Sequence, residues 1–289
     1  MQQLIKELRE RTGAGFVDCK KALEATNNDI NAAIEWLQKN GAAKAVKKAG
    51  NIAAEGVVNI VQNNQVAIVY EVNAQTDFVA KNEDFKKLVD QIGTILLASN
   101  FDTNTDLNQL KDASGKTIEE LTISATAIIG EKISLRRAQK VNLSAQNKVG
   151  TYVHFDGRKA TLFEATGGSD ELLKGIAMHI TAMNPEYLNQ AAVPAEHIKK
   201  LEAEFAQSPA LKGKPDNIKA NILSGMLRKA LSENVLMEQD YVVESGKTVG
   251  QLLKEANAQA LNMYRFEVGE GIEKANVDFA AEVAAQMKK

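Results

Sequence analysis

At 289 residues, with 44% hydrophobic and 25% charged side chains, the chain has ample material for buried cores and is neither disordered nor fibrous in composition. A formal net charge of -2 and 5% aromatic content argue against a protein whose main task is gripping nucleic acid, and a single cysteine, Cys19, excludes an internal disulfide. The longest apolar runs, such as Ile95–Ala98, fall far short of the roughly 20 residues of a membrane span, and Met1–Leu8 lacks the basic-then-apolar layout of a secretory leader, so a cytoplasmic protein with no membrane partner is expected.

Residues 1–41 read as three short helices. Leu4, Ile5 and Leu8 share a face that stops at Gly13, Phe16 and Leu23 belong to a second helix, and Ile30, Ala33, Ile34 and Leu37 line a third ending at Gly41, with Asn28 or Asp29 as its N-cap. So small a unit is marginal alone and is expected to be tethered to something. Lys39–Gly50 holds four lysines and no acid and reads as a solvated linker or a short helix.

After this the chain repeats itself. The first copy has a hairpin (Gly56–Ile60 and Val66–Val72, around Asn63-Asn64), a polar turn, a helix over Val79–Ala98, and Thr117-Ile-Glu-Glu-Leu121 leading through a helix to a strand ending near Arg137. The second has a hairpin (Gly150–Phe155 and Ala160–Ala165, around Asp156-Gly157), the turn Thr166–Asp170, a helix over Glu171–Met183, and Thr248-Val-Gly-Gln-Leu-Leu253 leading to a strand at Asn262–Val268. Matching order and polarity predict two α+β units, each a three-stranded antiparallel sheet faced by helices. The alternation in Val66–Val72 predicts a half-buried strand.

An insertion at residues 185–231 carries Ile198, Leu201 and Phe205 on one helix and Ile218, Ile222 and Met226 on another, which predicts an antiparallel helical hairpin with narrow apolar stripes. The chain ends in an amphipathic helix with Phe279, Val283 and Met287 on one side. The expected organisation is therefore a three-helix module and linker (residues 1–51), a first core subdomain (52–140), a second (141–184 with 232–267), the hairpin (185–231) and a C-terminal module (268–289).

Chemistry-bearing clusters are missing from this pattern. His154, His179 and His197 are scattered, Cys19 reads as a small buried hydrophobe, no spacing suits a metal, and no glycine-rich loop has the lysine of a phosphate cradle, so neither enzyme nor cofactor is expected. Trp36 lies off the apolar stripe of its helix and reads either as an exposed anchor or as half-buried at the edge of a small core. His179, on the apolar Gly175–Ile180 stretch, reads from the residues alone as a packed, hydrogen-bonded side chain. Phe78, in Thr76-Asp77-Phe78-Val79, is a bulky apolar residue at a strand-to-helix junction, either folded onto its own core or offered outward. The corresponding turn of the second copy, Thr166–Asp170, has no aromatic, which favours the outward reading.

Leu8–Gly15 with Asp18–Leu23, Glu71–Lys81, Ile176–Ile180, Thr248–Leu253 and Arg265–Ile272 together resemble bacterial translation elongation factor Ts, and the likeness runs from Leu4 to the C-terminal helix. The first module resembles the ubiquitin-associated type of three-helix unit. The resemblance implies a guanine-nucleotide exchange factor that binds elongation factor Tu, in its GDP-bound and nucleotide-free forms, and promotes GDP release. It assigns Asp77 and Phe78, with Thr76 and Val79, to an intrusion near the partner's magnesium and phosphate site, and His179 to pressing on another part of it. It also implies docking through Phe16, Val17 and Lys20, with Phe16-Val17 where the best-known members carry two methionines, and contacts from Val249, Phe279 and Val283. The hairpin corresponds to the family's dimerisation element, which implies a homodimer. Two other classes compete: a small-molecule enzyme using a cleft between the repeats, which would need a cluster of titratable groups, and an RNA or ribosome binder using Lys39–Lys48, which would need a basic balance or stacking aromatics.

Overall fold

A computed structural model describes residues 1–244 and 246–273. Phe279 and Val283 lie outside the described residues. By density of internal contacts the chain forms two units, one of Met1–Asn59 and Tyr70–Ala138 with the chain from Glu267, the other of Ile60–Val69 and Gln139–Phe266.

The first three helices are α1 (Gln2–Thr12), α2 (Phe16–Ala25) and α3 (Ile30–Lys48). Ile5, Leu8, Cys19, Ala22, Leu23 and Ala33 close their common core, with Trp36 half-buried at its edge. The Asp29 side chain caps α3 by accepting the Ala32 N–H at 2.9 Å. One expectation is corrected here: α3 does not end at Gly41 but runs on to Lys48, and of the two readings of Lys39–Gly50 it is the helix that forms, as a continuation of α3. The reason is packing. Gly41 is buried against α6 (Ile118–Ile129), where a Cβ at that position would stand 2.6 Å from the Ala127 methyl carbon, so the absent side chain lets two helices touch. Lys44 pairs with Asp18 at 2.7 Å, and the Lys48 ammonium donates to the Gly130 carbonyl. This extension supplies the tether that the small module needs.

The repeat is as expected: two three-stranded antiparallel sheets, ordered β1-β2-β3 and β4-β5-β6. The strands are β1 (Glu55–Gln62), β2 (Val66–Ala74), β3 (Ile133–Asn142), β4 (Asn147–Val153), β5 (Lys159–Thr166) and β6 (Gln259–Glu267). Tight turns after β1 and β4 make β2 and β5 the central strands. The half-buried reading of β2 is corrected accordingly: Ala67 through Ala74 are all buried, because a central strand covered on both faces leaves no solvent side, polar Glu71 and Asn73 included. In the second sheet β4 and β5 pair antiparallel with Gly150 opposite Phe163.

Helices α5 (Glu83–Ala98) and α6 belong to the first copy, α7 (Asp170–Met183) and α10 (Val249–Glu255) to the second. The two threonine motifs that mark the repeat do the same local work. Thr117 caps α6 and Thr248 caps α10, each closing a capping box with Glu120 or Gln251. Phe163, Leu173, Ile176, Ile180, Leu236, Val249, Leu252 and Leu253 form the core of the second copy. The insertion folds as α8 (Ala195–Ala206) and α9 (Asp216–Leu231), where Ile198, Leu201 and Leu227 pack on the small cluster of Val193, Leu231 and Val235.

Candidate functional site

The stretch expected as one helix from Val79 to Ala98 is two. A single turn, α4 (Asp77–Ala80), comes directly off β2, and α5 restarts at Glu83 because the Asn82 carboxamide oxygen accepts the Asp84 and Phe85 N–H groups at 2.8 and 3.3 Å. The break leaves Phe78 on an isolated turn. Val79 points inward and is buried, whereas Phe78 is 79% exposed, among the most exposed large apolar side chains of the described residues. An exposed phenylalanine gains about 2 kcal/mol when a partner covers it, and as part of a short projecting turn it is a natural anchor. Asp77 beside it is exposed and pairs with Lys81 at 2.9 Å.

The turn is held from below. Thr76, the residue preceding α4, does not cap it with its side chain. Instead its N–H donates to Glu131 Oε2, and its hydroxyl to the same carboxylate, all at 3.0 Å. Gln75 Oε1 accepts the Lys132 N–H at 2.9 Å. Deeper in β2, Glu71 is fully buried and accepts from Asn73, Arg136, Arg137 and the Gly269 N–H, the last at 2.8 Å. Burial pushes the Glu71 carboxyl up, but those hydrogen bonds and the Arg137 charge outweigh it and leave the group below its ordinary range.

On the helical module, Phe16 and Val17 open α2 and are 51% and 61% exposed. Lys20 is one turn on and lies 3.7 Å from Glu24. Phe16, Ile5, Arg9 and Gly13 also line a shallow open groove along α1. These residues form an apolar patch with basic neighbours, suited to a protein surface. Cys19 is buried and raised by burial above its ordinary thiol value, which makes it a packing residue rather than a nucleophile.

In the second copy, His179 and Val249 are both fully buried. Imidazole Nδ1 accepts the Val242 N–H at 3.3 Å, so Nε2 carries the proton and donates to Gln239 Oε1 at 2.9 Å, with the ring 5.8 Å from that of Tyr241. Burial holds the His179 pKa below its ordinary value, partly opposed by the Gln239 hydrogen bond. The residue reading of His179 as a packed, hydrogen-bonded side chain describes this geometry. Its visible consequence is at the surface: it fixes the loop on which Val242 and Val243 are exposed.

Sequence reasoning missed Phe155, which is 92% exposed at the β4–β5 turn with its ring 4.6 Å from that of His154. The signal was available, since an aromatic immediately before an Asp-Gly turn stands at a hairpin tip. Among the described residues no group of three or more His, Cys, Asp or Glu could hold a metal ion, and no helix is long and apolar enough to cross a membrane.

Comparison with known proteins identifies two matching family models: "Elongation factor TS" over residues 75–270, and "Elongation factor Ts, mitochondrial, N-terminal" over residues 1–46. The chain is 54% identical to elongation factor Ts of Mycoplasmopsis pulmonis over 286 residues, covering 99% of this chain and 97% of the relative. It is 47% identical to that of Mycoplasma mobile, covering 98% and 97%, and 46% identical to that of Acholeplasma laidlawii, covering 99% and 98%.

Proposed function

Because the chain belongs to the elongation factor Ts family, we propose that it is a guanine-nucleotide exchange factor that binds elongation factor Tu and drives GDP from it, without making or breaking a covalent bond. A GTPase holds GDP through phosphate-cradling amides and a magnesium ion, so an exchange factor must bind more tightly the partner conformation in which those contacts are loosened. The observation that carries the reading is the 79% exposure of Phe78 on a single helical turn that follows directly on β2. Its ring is the wedge, gaining its apolar burial only when the partner opens. The Asp77 carboxylate beside it disturbs the magnesium and its water shell, and Thr76 and Val79 fix the turn.

Phe16, Val17 and Lys20 supply docking affinity that does not depend on nucleotide state. Phe279 and Val283 are proposed to add contacts of the same kind. His179 and Val249, being buried, act by shaping the loop and helix around them, the exposed Val242 and Val243 included. The α8–α9 hairpin is proposed to pair with a second copy. The test is release of a fluorescent GDP from elongation factor Tu in a stopped-flow instrument: added protein accelerates release, and an unchanged rate contradicts the proposal. Ultracentrifugation of the chain with and without residues 185–231 tests the homodimer.

A further inference from the structure

The turn Gly130-Glu131-Lys132, between α6 and β3, is tied both to the end of β2 and to the end of the helical module and its linker. Gly130 ends α6 in the left-handed region at φ 88°, which reverses the chain and presents Glu131 to the base of α4. Glu131 takes both the N–H and the hydroxyl of Thr76 at 3.0 Å, and the Lys132 N–H is taken by Gln75. On its other side, Lys132 Nζ donates to the Asn51 carbonyl at 3.0 Å, and Lys48 at the end of α3 donates to Gly130.

The second copy supplies the contrast. There the residue before α7, Ser169, caps its own helix by accepting the Leu172 N–H at 3.2 Å, and no carboxylate is involved. In the first copy the residue before α4 turns its hydroxyl away from the helix it opens and onto Glu131. A four-residue helix has almost no stability of its own, so its position depends on what its first residues are tied to. A carboxylate that accepts two hydrogen bonds, one from a backbone amide, is a stiff tie.

We propose that Glu131 is a positioning residue for exchange: it does not touch the partner, but holds Thr76 so that Phe78 is presented in the one orientation that enters the partner. This rests on the wedge reading of Phe78. A wedge whose orientation is fixed before contact loses less conformational freedom as it enters, so removing the tie lowers the rate of the opening step. Docking through Phe16 and Val17 is untouched, because those residues are on α2.

The experiment measures GDP release from elongation factor Tu against concentration of the full chain for the wild type, Glu131→Ala, Glu131→Gln, Phe78→Ala and the Phe78→Ala/Glu131→Ala double variant. Glu131→Ala is expected to lower the maximal release rate about 5- to 10-fold while the half-saturating concentration stays within about twofold. Glu131→Gln, which keeps an acceptor for the Thr76 N–H, recovers most of that loss. The double variant loses clearly less than the product of the two single losses, since Glu131 acts through the turn that carries that ring. Amide exchange in the unbound chain gives a readout that does not need the partner: Glu131→Ala speeds exchange at Phe78–Lys81 and leaves α5 unchanged. A Glu131→Ala rate within twofold of wild type, or an equal further loss in the Phe78→Ala background, overturns the proposal. If Phe78→Ala itself leaves release unchanged, the wedge reading is what fails.

Discussion

Glu71 and Gly269 are 198 residues apart in sequence, and the Gly269 N–H donates to the Glu71 carboxylate at 2.8 Å. The same carboxylate takes Arg137 Nε at 2.6 Å and Arg136 at 3.1 Å. Gly269 adopts φ 75° and lies so close to the Ala54 carbonyl that no side chain fits. One buried acid therefore gathers the centre of β2, the middle of β3 and the chain beyond β6.

This predicts a specific acid sensitivity. The Glu71 carboxyl titrates below its ordinary 4.5 in the folded chain, so the unfolded chain binds the proton first as pH falls. Its stabilising contribution is complete above about pH 4.5 and is lost as pH drops through the lower folded value. Thermal melts of wild type and Glu71→Gln across that range are expected to converge in acid. At neutral pH the variant is less stable by about 2–4 kcal/mol, since two arginines and an amide lose their acceptor charge. Parallel curves would show that the group does not titrate this way.

His179→Ala is expected to be a stability variant. It empties a fully buried site and leaves Gln239 Oε1 and the Val242 N–H without their partner, at a cost of about 2–4 kcal/mol. The pH dependence has the same sign for a different reason. The folded chain holds the ring neutral, with a pKa below 6.5, so its contribution is complete above that value and declines as pH falls through the folded one. Denaturant melts at pH 7.5 and pH 5.5 check this, with a smaller pH effect expected for His179→Gln.

Gly41→Leu should separate the helical module from α6. A side chain there meets Ala127 at 2.6 Å from its first carbon, and overpacking of this kind costs about 1–3 kcal/mol. Differential amide exchange is expected to rise over Gly41–Lys48 and Thr122–Gly130 while the interior of α5 stays protected. Unchanged exchange in α6 would mean the two helices do not pack this way in solution.

How much of this could be read from the sequence depends on the range of the interactions. Strands, caps and the repeat rest on local patterns, so the cap at Asn28 or Asp29, the two hairpins and the recurring Thr117 and Thr248 motifs were legible, although the capping role of those threonines was not read. Phe78 was legible in part: its junction and the lack of an aromatic in the second turn pointed outward, and its exposure agrees. The extension of α3 was not, because glycine and lysine near Gly41 look like a helix end unless the facing Ala127 is known. The packed, hydrogen-bonded state of His179 was legible in its apolar neighbours, while the family likeness concerns its effect on the partner and says nothing of its burial. Glu131 carried no signal at all: it is one acid in a polar turn, and its partner Thr76 is 55 residues away.

The central claim is that Phe78 works on a partner and not on its own fold. Truncating a side chain that is 79% exposed should change stability by no more than about 0.5 kcal/mol. Losing about 2 kcal/mol of burial in the opened complex should slow release roughly 30-fold. The decisive measurement pairs a thermal melt of Phe78→Ala with its maximal rate of GDP release from elongation factor Tu. If Phe78 is the wedge, the melt is unchanged and the rate falls by that order. A melt lowered by the 3 kcal/mol or more expected of a core phenylalanine, or an unchanged rate, would contradict it.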